Sequence, residues 1–420
     1  MTPHHTTAPA RRSAPRAGRP AVTWEQARAT ARDAVQPLPA ATLEPAATLE
    51  PADALGHALA APLAARTDLP PFDTSAMDGW AVAGPGPWRL EDRTLLAGTR
   101  PAPLRPGAAA PIATGARLPA GATAVLRREH GATDPATGTL HVRSAAPGAA
   151  PGTDIRVQGH ECRTGDPLLP AGATVTPAVL GLAAAAGHDR LTVHRRPTVE
   201  LLVLGDELLT SGLPGDGRVR DALGPLLPPW LHALGAEVTG HHRVPDAAAP
   251  LTEAVRRSSA DVVVTTGSTA AGPVDFLHRA LRANGAELLV DSVAVRPGHP
   301  MLLAALPGTG PRPARHLVGL PGNPLAAVAG LVTLAAPLLG RLGGRTPDGP
   351  HRARAAAALP GHPADTRLVP VRRAENGVTP LPYDGPAMLR GLARADHLAV
   401  LPPGGATEGE YVTVLPLPAG

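Results

Sequence analysis

Acidic side chains occur close together at two places in the sequence. In the run Pro70–Val82, PPFDTSAMDGWAV, the carboxylates of Asp73 and Asp78 follow a rigid Pro-Pro pair. Asp206 and Glu207, in the sequence GDEL, directly follow an apolar, strand-like run. Adjacent carboxylates at the ligand edge of a sheet suit a hard cation such as Mg²⁺. A surface turn with a capping Asp also explains the first place, and favourable charge at a helix start explains the second.

Small residues connect a strand to a helix at Thr265–Gly272, TTGSTAAG, with Asp275 just beyond. Such a loop brings backbone N–H groups and the positive end of a helix dipole together, which favours phosphate binding. Arg296, in the run RPGHP, could hold a phosphate or oxyanion through two hydrogen bonds, and GLPGNP follows at Gly319–Pro324. Structural turns account for these runs as well, and TTGSTAAG is neither a Walker A loop nor a GxGxxG loop.

Alternating strand and helix patterns from residue 197 to about 343 must position these groups. Buried strands are predicted at Thr198–Leu204 and Asp261–Thr266, and further ones near 237–242, 286–290 and 315–319. Helices are predicted near 222–234, 248–258 and 273–284, and another after PGNP. This alternation predicts a parallel sheet covered by helices on both faces. Ligands bind at the carboxyl ends of such strands, so the candidate loops are 205–221, 267–275 and 320–324.

The rest of the chain is less regular. Short apolar pieces between Pro and Gly turns predict a β-rich unit at about 64–160, and residues 351–420 predict a small all-β domain. Helices are predicted at Trp24–Val35, Asp53–Leu63 and Pro177–Gly187.

Composition and charge narrow the class of protein. The hydrophobic fraction of 43% in 420 residues supports real cores, and an aromatic fraction of 2% argues against a stacking platform for nucleic acid. Residues 1–20 contain four arginines and no acid, so they supply the whole net charge of +4. The remaining 39 − 4 = 35 basic residues balance 35 acidic ones, which indicates no nucleic-acid partner. Residues 1–22 are predicted to be a disordered basic tail.

Two further features concern compartment and membrane. A single cysteine, Cys162, excludes an internal disulfide framework and a Cys-rich zinc site. The uncharged run Leu317–Gly340 is long enough to span a membrane, but its prolines and small residues favour a loop leading into a buried helix. We therefore expect no membrane partner and a cytoplasmic location.

Each of these motifs is unspecific alone, but all of them together, in one order along the chain, are specific. The sequence contains PPFDTSAMDGWAV, IATGA, IRVQGHE, GDEL, GRVRD, TTGS, AVRPGHP and GLPGNP in succession. From about residue 24 to 415 the chain resembles the molybdopterin molybdenumtransferase family of the MoeA type, which is related to the C-terminal catalytic part of gephyrin. The most specific pieces are SAMDGWAV, GDEL and GLPGNP.

The resemblance implies a molybdenum insertase of molybdenum cofactor biosynthesis. Its substrates would be molybdate and adenylylated molybdopterin, and its products would be molybdenum cofactor and AMP. The reaction would use Mg²⁺ as a cofactor. The resemblance also implies a homodimer whose site lies between the α/β domain of one subunit and the β-rich domain of the other. Molybdopterin adenylyltransferase and molybdoenzyme maturation proteins are the expected partners.

Four domains follow from the same resemblance. They are a split, elongated N-terminal domain at 23–63 and 163–195, a β-rich lid domain at 64–162, a central α/β/α molybdopterin-binding domain with a parallel sheet at 196–343, and a C-terminal β-barrel at 344–420.

The resemblance also assigns residues. The acids that would act in catalysis are Glu207, Asp275, Asp78 and Glu161, and Glu207, Asp275 and Glu161 would also bind the metal. The residues that would bind substrate or phosphate are Ser75, Thr114, Asp221, Thr266, Gly267, Ser268, Gly272, Arg296, His299, Pro321 and Pro324.

Several positions depart from the family pattern. GHE replaces the usual GED at Glu161, Asp221 is followed by Ala and Leu in place of a hydroxyl and an amide, and His299 replaces a usual Lys. These changes keep two alternatives open. One is a diverged, non-catalytic carrier or assembly protein that binds molybdopterin or its cofactor, and the other is a pterin- or nucleotide-binding enzyme with a different substrate.

Overall fold

The computed structural model describes residues 21–43, 53–144, 146–269, 275–308, 314–346 and 351–418. The chain divides into two compact units. The first unit comprises the chain up to Pro39 and from His194 onward, and the second comprises Ala40–Val193. The predicted tail lies outside the described residues up to residue 20. The limits of the four domains stay a prediction.

A six-stranded sheet forms the centre of the first unit. Its strands in chain order are β1 (Thr198–Leu204), β2 (Glu237–Val244), β3 (Val262–Thr266), β4 (Glu287–Val290), β5 (Leu302–Leu306) and β6 (Arg315–Leu320). Their order across the sheet is β2-β1-β3-β6-β5-β4. The pairs β1–β2, β1–β3 and β3–β6 are parallel, as predicted, whereas β5 is antiparallel to both of its neighbours. The prediction missed β5 because residues 291–301 connect it to β4 without the helix that a parallel crossover needs.

Helices cover both faces of this sheet. The α-helices of the described residues are α1 (Trp24–Asp33), α2 (Pro177–Ala185), which belongs to the second unit, α3 (Leu223–Ala233), α4 (Ala248–Arg257), α5 (Phe276–Ala283), α6 (Pro324–Gly330) and α7 (Ala336–Leu342). Successive residues of a strand point to opposite faces. Leu201 of β1 accordingly lies in one apolar core with Leu227 of α3, and Leu202 lies in the other with Leu251 of α4 and Leu277 of α5.

The predicted buried helix after PGNP is present and continuous from α6 to α7. A π-helical turn, Leu331–Ala335, joins the two helices. Pro337 has no N–H to donate to the carbonyl of Thr333, which explains the wider turn. Within the described part of the chain, Pro324–Leu342 is the one helical segment long and apolar enough to cross a membrane, and 78% of its apolar window is buried inside the protein. Such burial is typical of a core helix.

The C-terminal part of the first unit is β-rich. Its main sheet has the strand order Val295–Arg296, Thr366–Ala374, His397–Leu401, Tyr411–Pro416 and His351–Arg354, with Gly377–Pro380 paired to Thr366–Ala374. Leu359–Pro360 pairs separately with Gly405–Ala406.

The second unit contains another six-stranded sheet, in the order Ala124–Arg127, Gly79–Val82, Ala108–Ile112, Trp88–Leu90, Thr139–Val142 and Gly131–Asp134. Three small two-stranded sheets join Ala40–Leu43 to Leu191–His194, Leu63–Ala64 to Pro167–Leu169, and Thr74–Ser75 to Ile155–Arg156.

The predicted helix at Asp53–Leu63 is wrong. The segment forms turns and isolated bridges, in which Ala58 pairs with Thr174 and Leu59 with Val193. Gly56 has a φ of 77°, which ends any helix there. Pairing with distant segments outweighs the helical spacing of the apolar residues.

The chain leaves and re-enters the first unit at neighbouring positions. The carbonyl oxygen of Leu38 lies 2.8 Å from Nδ1 of His194, within hydrogen-bonding distance. The N–H of Leu38 donates to the carbonyl of Leu342 at the end of α7.

Candidate active site

The loops singled out in the sequence follow three neighbouring parallel strands of the first unit. GDEL follows β1, Gly267 and Ser268 follow β3, and Pro321 follows β6. The N–H of Gly267 donates to the carbonyl of Leu320 at 2.8 Å. The described parts of the three loops therefore lie along one edge of the sheet.

Three carboxylates lie close together at the GDEL turn, namely those of Asp206 and Glu207 in the turn and that of Asp246. Asp246 follows β2, and its Oδ2 accepts a hydrogen bond from the N–H of Asp206 at 3.2 Å. Burial, and then the charges of Asp206 and Glu207, raise the pKa of the Asp246 carboxyl. A bound cation would offset this repulsion. Sequence reasoning missed Asp246, although it stands just past a strand, as GDEL does.

Glu207 and Asp221 lie on either side of an exposed segment. The N–H of Val219 donates to the carbonyl of Glu207 at 3.0 Å, and Oδ1 of Asp221 accepts from the N–H of Gly224 at 2.8 Å. Asp221 thus binds an N–H group in the first turn of α3, which gives it a structural role at the start of this helix.

The loop after β3 is tightly turned. Thr266 is buried, and Gly267 and Ser268 both have positive φ, 83° and 55°. Oγ of Ser268 accepts from the N–H of Phe276 at 3.3 Å, and Oδ1 of Asp275 accepts from the N–H of His278 at 3.0 Å. Two N–H groups at the start of α5 are therefore bonded within the protein, which leaves fewer donors for a phosphate. Gly272 lies outside the described residues.

His278 joins two acids at this edge. Its Nδ1 lies 2.8 Å from Oδ1 of Asp275, and its Nε2 lies 2.6 Å from Oδ1 of Asp291. Burial alone would lower the pKa of His278, but the bonds to Asp291 and Asp275 raise it overall. Sequence reasoning missed both His278 and Asp291. The available signals were the i, i+3 spacing from Asp275 and the position of Asp291 directly after β4.

The RPGHP run is anchored to the C-terminal sheet. Nε of Arg296 donates to Oδ2 of Asp365 at 2.8 Å. Nδ1 of His299 is buried and has no hydrogen-bond partner among the residues the structure describes. An unsatisfied buried nitrogen destabilises the protein until a partner binds it.

The PGNP loop also contacts the C-terminal part of the first unit. Pro321 is buried, and Pro324 occupies the first turn of α6. The N–H groups of Leu325 and Ala326 donate to the carbonyl of Pro386 at 2.9 and 3.2 Å. A carbonyl from the C-terminal part thus occupies these helix-start donors.

In the second unit, Asp78, Thr114 and Ser75 come together. Oδ1 of Asp78 accepts from the N–H of Thr114 at 2.8 Å, and the carbonyl of Ser75 accepts from the N–H of Gly115. The bonds from the N–H and hydroxyl of Thr114 lower the pKa of Asp78, so its carboxyl stays ionised. The Ser75 hydroxyl is buried and donates to the carbonyl of Met77. Glu161 is exposed, and its N–H donates to the carbonyl of Leu69.

The chemistry of the donors bears on the expected magnesium ion. Across the described ranges, no three His, Cys, Asp or Glu side chains are grouped so that they could hold a metal ion. Mg²⁺ is usually held by one or two carboxylates together with waters and substrate phosphates, so it needs no such group. One or two of the carboxylates at the end of β1 and β2, those of Asp206, Glu207 and Asp246, would be enough for that mode of binding.

Three family models match the chain in succession. The MoeA N-terminal region, domains I and II, matches residues 22–187, a probable molybdopterin binding domain matches 200–341, and the MoeA C-terminal region, domain IV, matches 352–417.

Curated relatives and solved structures agree with these matches. The molybdopterin molybdenumtransferase of Synechococcus elongatus is 33% identical over 82% of this chain and 88% of its own length. Molybdopterin molybdenumtransferase 2 of Mycobacterium tuberculosis is 32% identical over 83% of this chain and 88% of its own. The crystal structure of a molybdopterin biosynthesis MoeA protein from Pyrococcus horikoshii superposes with a TM-score of 0.71 at 25% identity, covering 95% of this chain and 100% of that one. The resemblance seen in the motifs is confirmed, and the chain belongs to the molybdopterin molybdenumtransferase family, a family of transferases in molybdenum cofactor biosynthesis.

Proposed function

We propose that the protein is a molybdenum insertase that uses molybdate and adenylylated molybdopterin and releases molybdenum cofactor and AMP. The observation that carries this proposal is the 33% identity over 88% of the length of a relative named molybdopterin molybdenumtransferase. The position of GDEL, TTGS and GLPGNP at the same edge of the sheet also supports the proposal, because ligands of such sheets bind at that edge.

The reaction requires hydrolysis of a pyrophosphate bond, in which water adds across the P–O–P link and AMP leaves. Negative charge grows on the leaving phosphate and must be neutralised. Glu207, with Asp206 and Asp246 beside it, would hold Mg²⁺ at the end of β1, and a bound ion would supply that positive charge. Asp275 and Glu161 stay predicted contributors to the metal site.

The other predicted residues would orient the substrates. Arg296 and His299 carry the donors suited to an oxyanion such as molybdate, and Gly267 and Ser268 would face the phosphates. The Nδ1 atom of His299, which lacks a partner among the described residues, supports a ligand at that position. On the second unit, Asp78, Ser75 and Thr114 are proposed to contact substrate.

AMP release tests the proposal. Purified protein with adenylylated molybdopterin, molybdate and Mg²⁺ is expected to release AMP well above a protein-free blank. Folded protein that releases none is not an insertase. Calorimetry separates the alternatives, because binding of molybdopterin without turnover supports a carrier, and absence of binding contradicts both proposals.

A further inference from the structure

His278 is a buried histidine that lies between two carboxylates beside the proposed site. Its side chain is 8% exposed, whereas those of Asp275 and Asp291 are 24% and 30% exposed. A buried imidazole therefore lies beneath two carboxylates that reach solvent. Each of its ring nitrogens faces a carboxylate oxygen within 2.8 Å, so each nitrogen is a donor.

The three residues come from two different elements. Asp275 and His278 form the first turn of α5, while Asp291 follows the carboxyl end of β4. Asp291 is followed by Ser292, whose φ of 144° turns the chain sharply. The histidine therefore ties the start of a helix to the edge of the sheet where the substrate loops lie.

The bonds restrict the direction of Asp275. Its Oδ1 accepts both from the N–H of His278 and from Nδ1 of the same residue. Its Oδ2 has no hydrogen-bond partner in the described ranges, and neither does Oδ2 of Asp291. Charge-assisted bonds of this kind are about twice as strong as neutral ones, so they fix the carboxylate while leaving one oxygen for a ligand.

We propose that His278 is a positioning residue, which holds the carboxylate of Asp275 in the orientation in which it contacts substrate or cation. Asp291, bonded to the other ring nitrogen, fixes the orientation of the histidine. The inference rests on the proposed function, since it assumes that Asp275 contacts substrate or cation. Groups that orient a functional side chain in this way commonly matter nearly as much as the side chain itself.

Two substitutions of His278 separate positioning from packing. In His278→Asn, the amide nitrogen takes the place of Nδ1 and keeps the bond to Asp275. In His278→Gln, the amide reaches the position of Nε2, so the bond to Asp291 survives and that to Asp275 is lost. We expect His278→Gln to lower kcat for AMP release by about 10- to 100-fold, and His278→Asn to lower it several-fold less. Asp291→Asn should fall between them.

A purely structural role predicts the opposite ranking, because Asn leaves the larger cavity. His316→Gln is the matched control, since His316 is a second buried histidine, on β6, outside the proposed site. It should keep wild-type kcat. Equal losses in the two His278 variants, a larger loss in His278→Asn, or wild-type kcat in His278→Gln would each overturn the proposal. Thermal unfolding of every variant shows whether it folds.

A second readout does not depend on activity. With ¹⁵N-labelled histidine, the wild-type protein should show two protected imidazole N–H resonances that vanish in His278→Gln, and Asp291→Asn should shift only the Nε2–H resonance. Absence of both resonances contradicts the bridge itself. Wild-type protein with these resonances but without AMP release contradicts the proposed function, not the geometry.

Discussion

Glu207 is the residue on which the proposed chemistry can be tested most directly. We expect Glu207→Ala to lower the rate of AMP release by about 100-fold, because it removes a carboxylate from the place where a cation would neutralise the leaving phosphate. Turnover is measured under saturating Mg²⁺, and overall folding by thermal unfolding.

Glu237 provides the comparison. It begins β2, at the opposite edge of the same sheet, and is exposed. Glu237→Ala should keep wild-type turnover. Equal rates for Glu207→Ala and the wild-type protein would remove Glu207 from the proposed metal site.

Asp261 makes stability depend on pH. Its burial alone would raise its pKa, but Arg195, at 2.7 and 2.8 Å, and the N–H and hydroxyl of Thr198 hold the pKa below its ordinary value. A carboxyl with a lowered pKa stabilises the fold above its unfolded pKa of about 3.9, and this stability is lost as the pH falls through the folded pKa.

We therefore expect Asp261→Asn to lower the free energy of unfolding by about 2 kcal/mol at pH 7, and the difference from wild type to shrink as the pH falls below about 4. Urea unfolding at several pH values measures it. Glu253→Gln is the control, because Glu253 forms exposed ion pairs with Arg256 and Arg257 and should matter much less. A loss for Asp261→Asn that is independent of pH would contradict the assignment.

The sequence supports residue-level prediction only where a motif marks a position. GDEL and TTGS could be placed on the sheet edge from strand patterns alone. Asp246, His278 and Asp291 have only a position after a strand or a helical spacing to mark them, and their importance comes from contacts between residues that lie 13 and 40 positions apart in the chain. Whether Glu207, Asp275 and Glu161 share a metal stays a prediction.

Gly298 shows how one element depends on another. Its φ is 107°, and a Cβ there would lie 3.0 Å from the carbonyl oxygen of Ala326 and 3.1 Å from Cβ of Ala329. Gly298→Ala should therefore lower the free energy of unfolding by about 1–3 kcal/mol, through both backbone strain and crowding against α6. Thermal unfolding measures the loss.

Gly340 gives the matched substitution. It lies within α7, and a Cβ there would meet nothing within 4 Å. Gly340→Ala should raise stability by up to about 1 kcal/mol, because alanine is the better helix former. Changes of the same sign in both variants would contradict this account.

Elements were predictable where a local pattern agreed with the tertiary structure. Thr198–Leu204 has the predicted limits as a strand, and the strand predicted at Asp261–Thr266 is present as Val262–Thr266. β5 and the segment Asp53–Leu63 were not predictable, because chain reversal and pairing with residues more than 100 positions away decide them. Residues with helical spacing can lie in turns when distant partners bury them.

The whole molecule is predicted to be a homodimer, on the strength of the family resemblance. Light scattering should give about twice the chain mass of 42.6 kDa. Large apolar side chains exposed on the described surface, among them Leu213 at 91%, are consistent with association, which removes such surface from water. A mass of one chain across a wide concentration range would contradict the dimer.

The hydrogen bond between Leu38 and His194 joins the two points at which the chain leaves and re-enters the first unit. Of the three apolar cores of the first unit, one combines buried residues from before position 39 with residues after position 194, and the other two contain only residues after 194. A gene rearrangement that removed or exchanged residues 40–193 would break the chain at two positions of the sequence, which lie within hydrogen-bonding distance of each other in the fold. Such an exchange would leave the apolar cores of the first unit intact, because none of their described residues lies between positions 39 and 194.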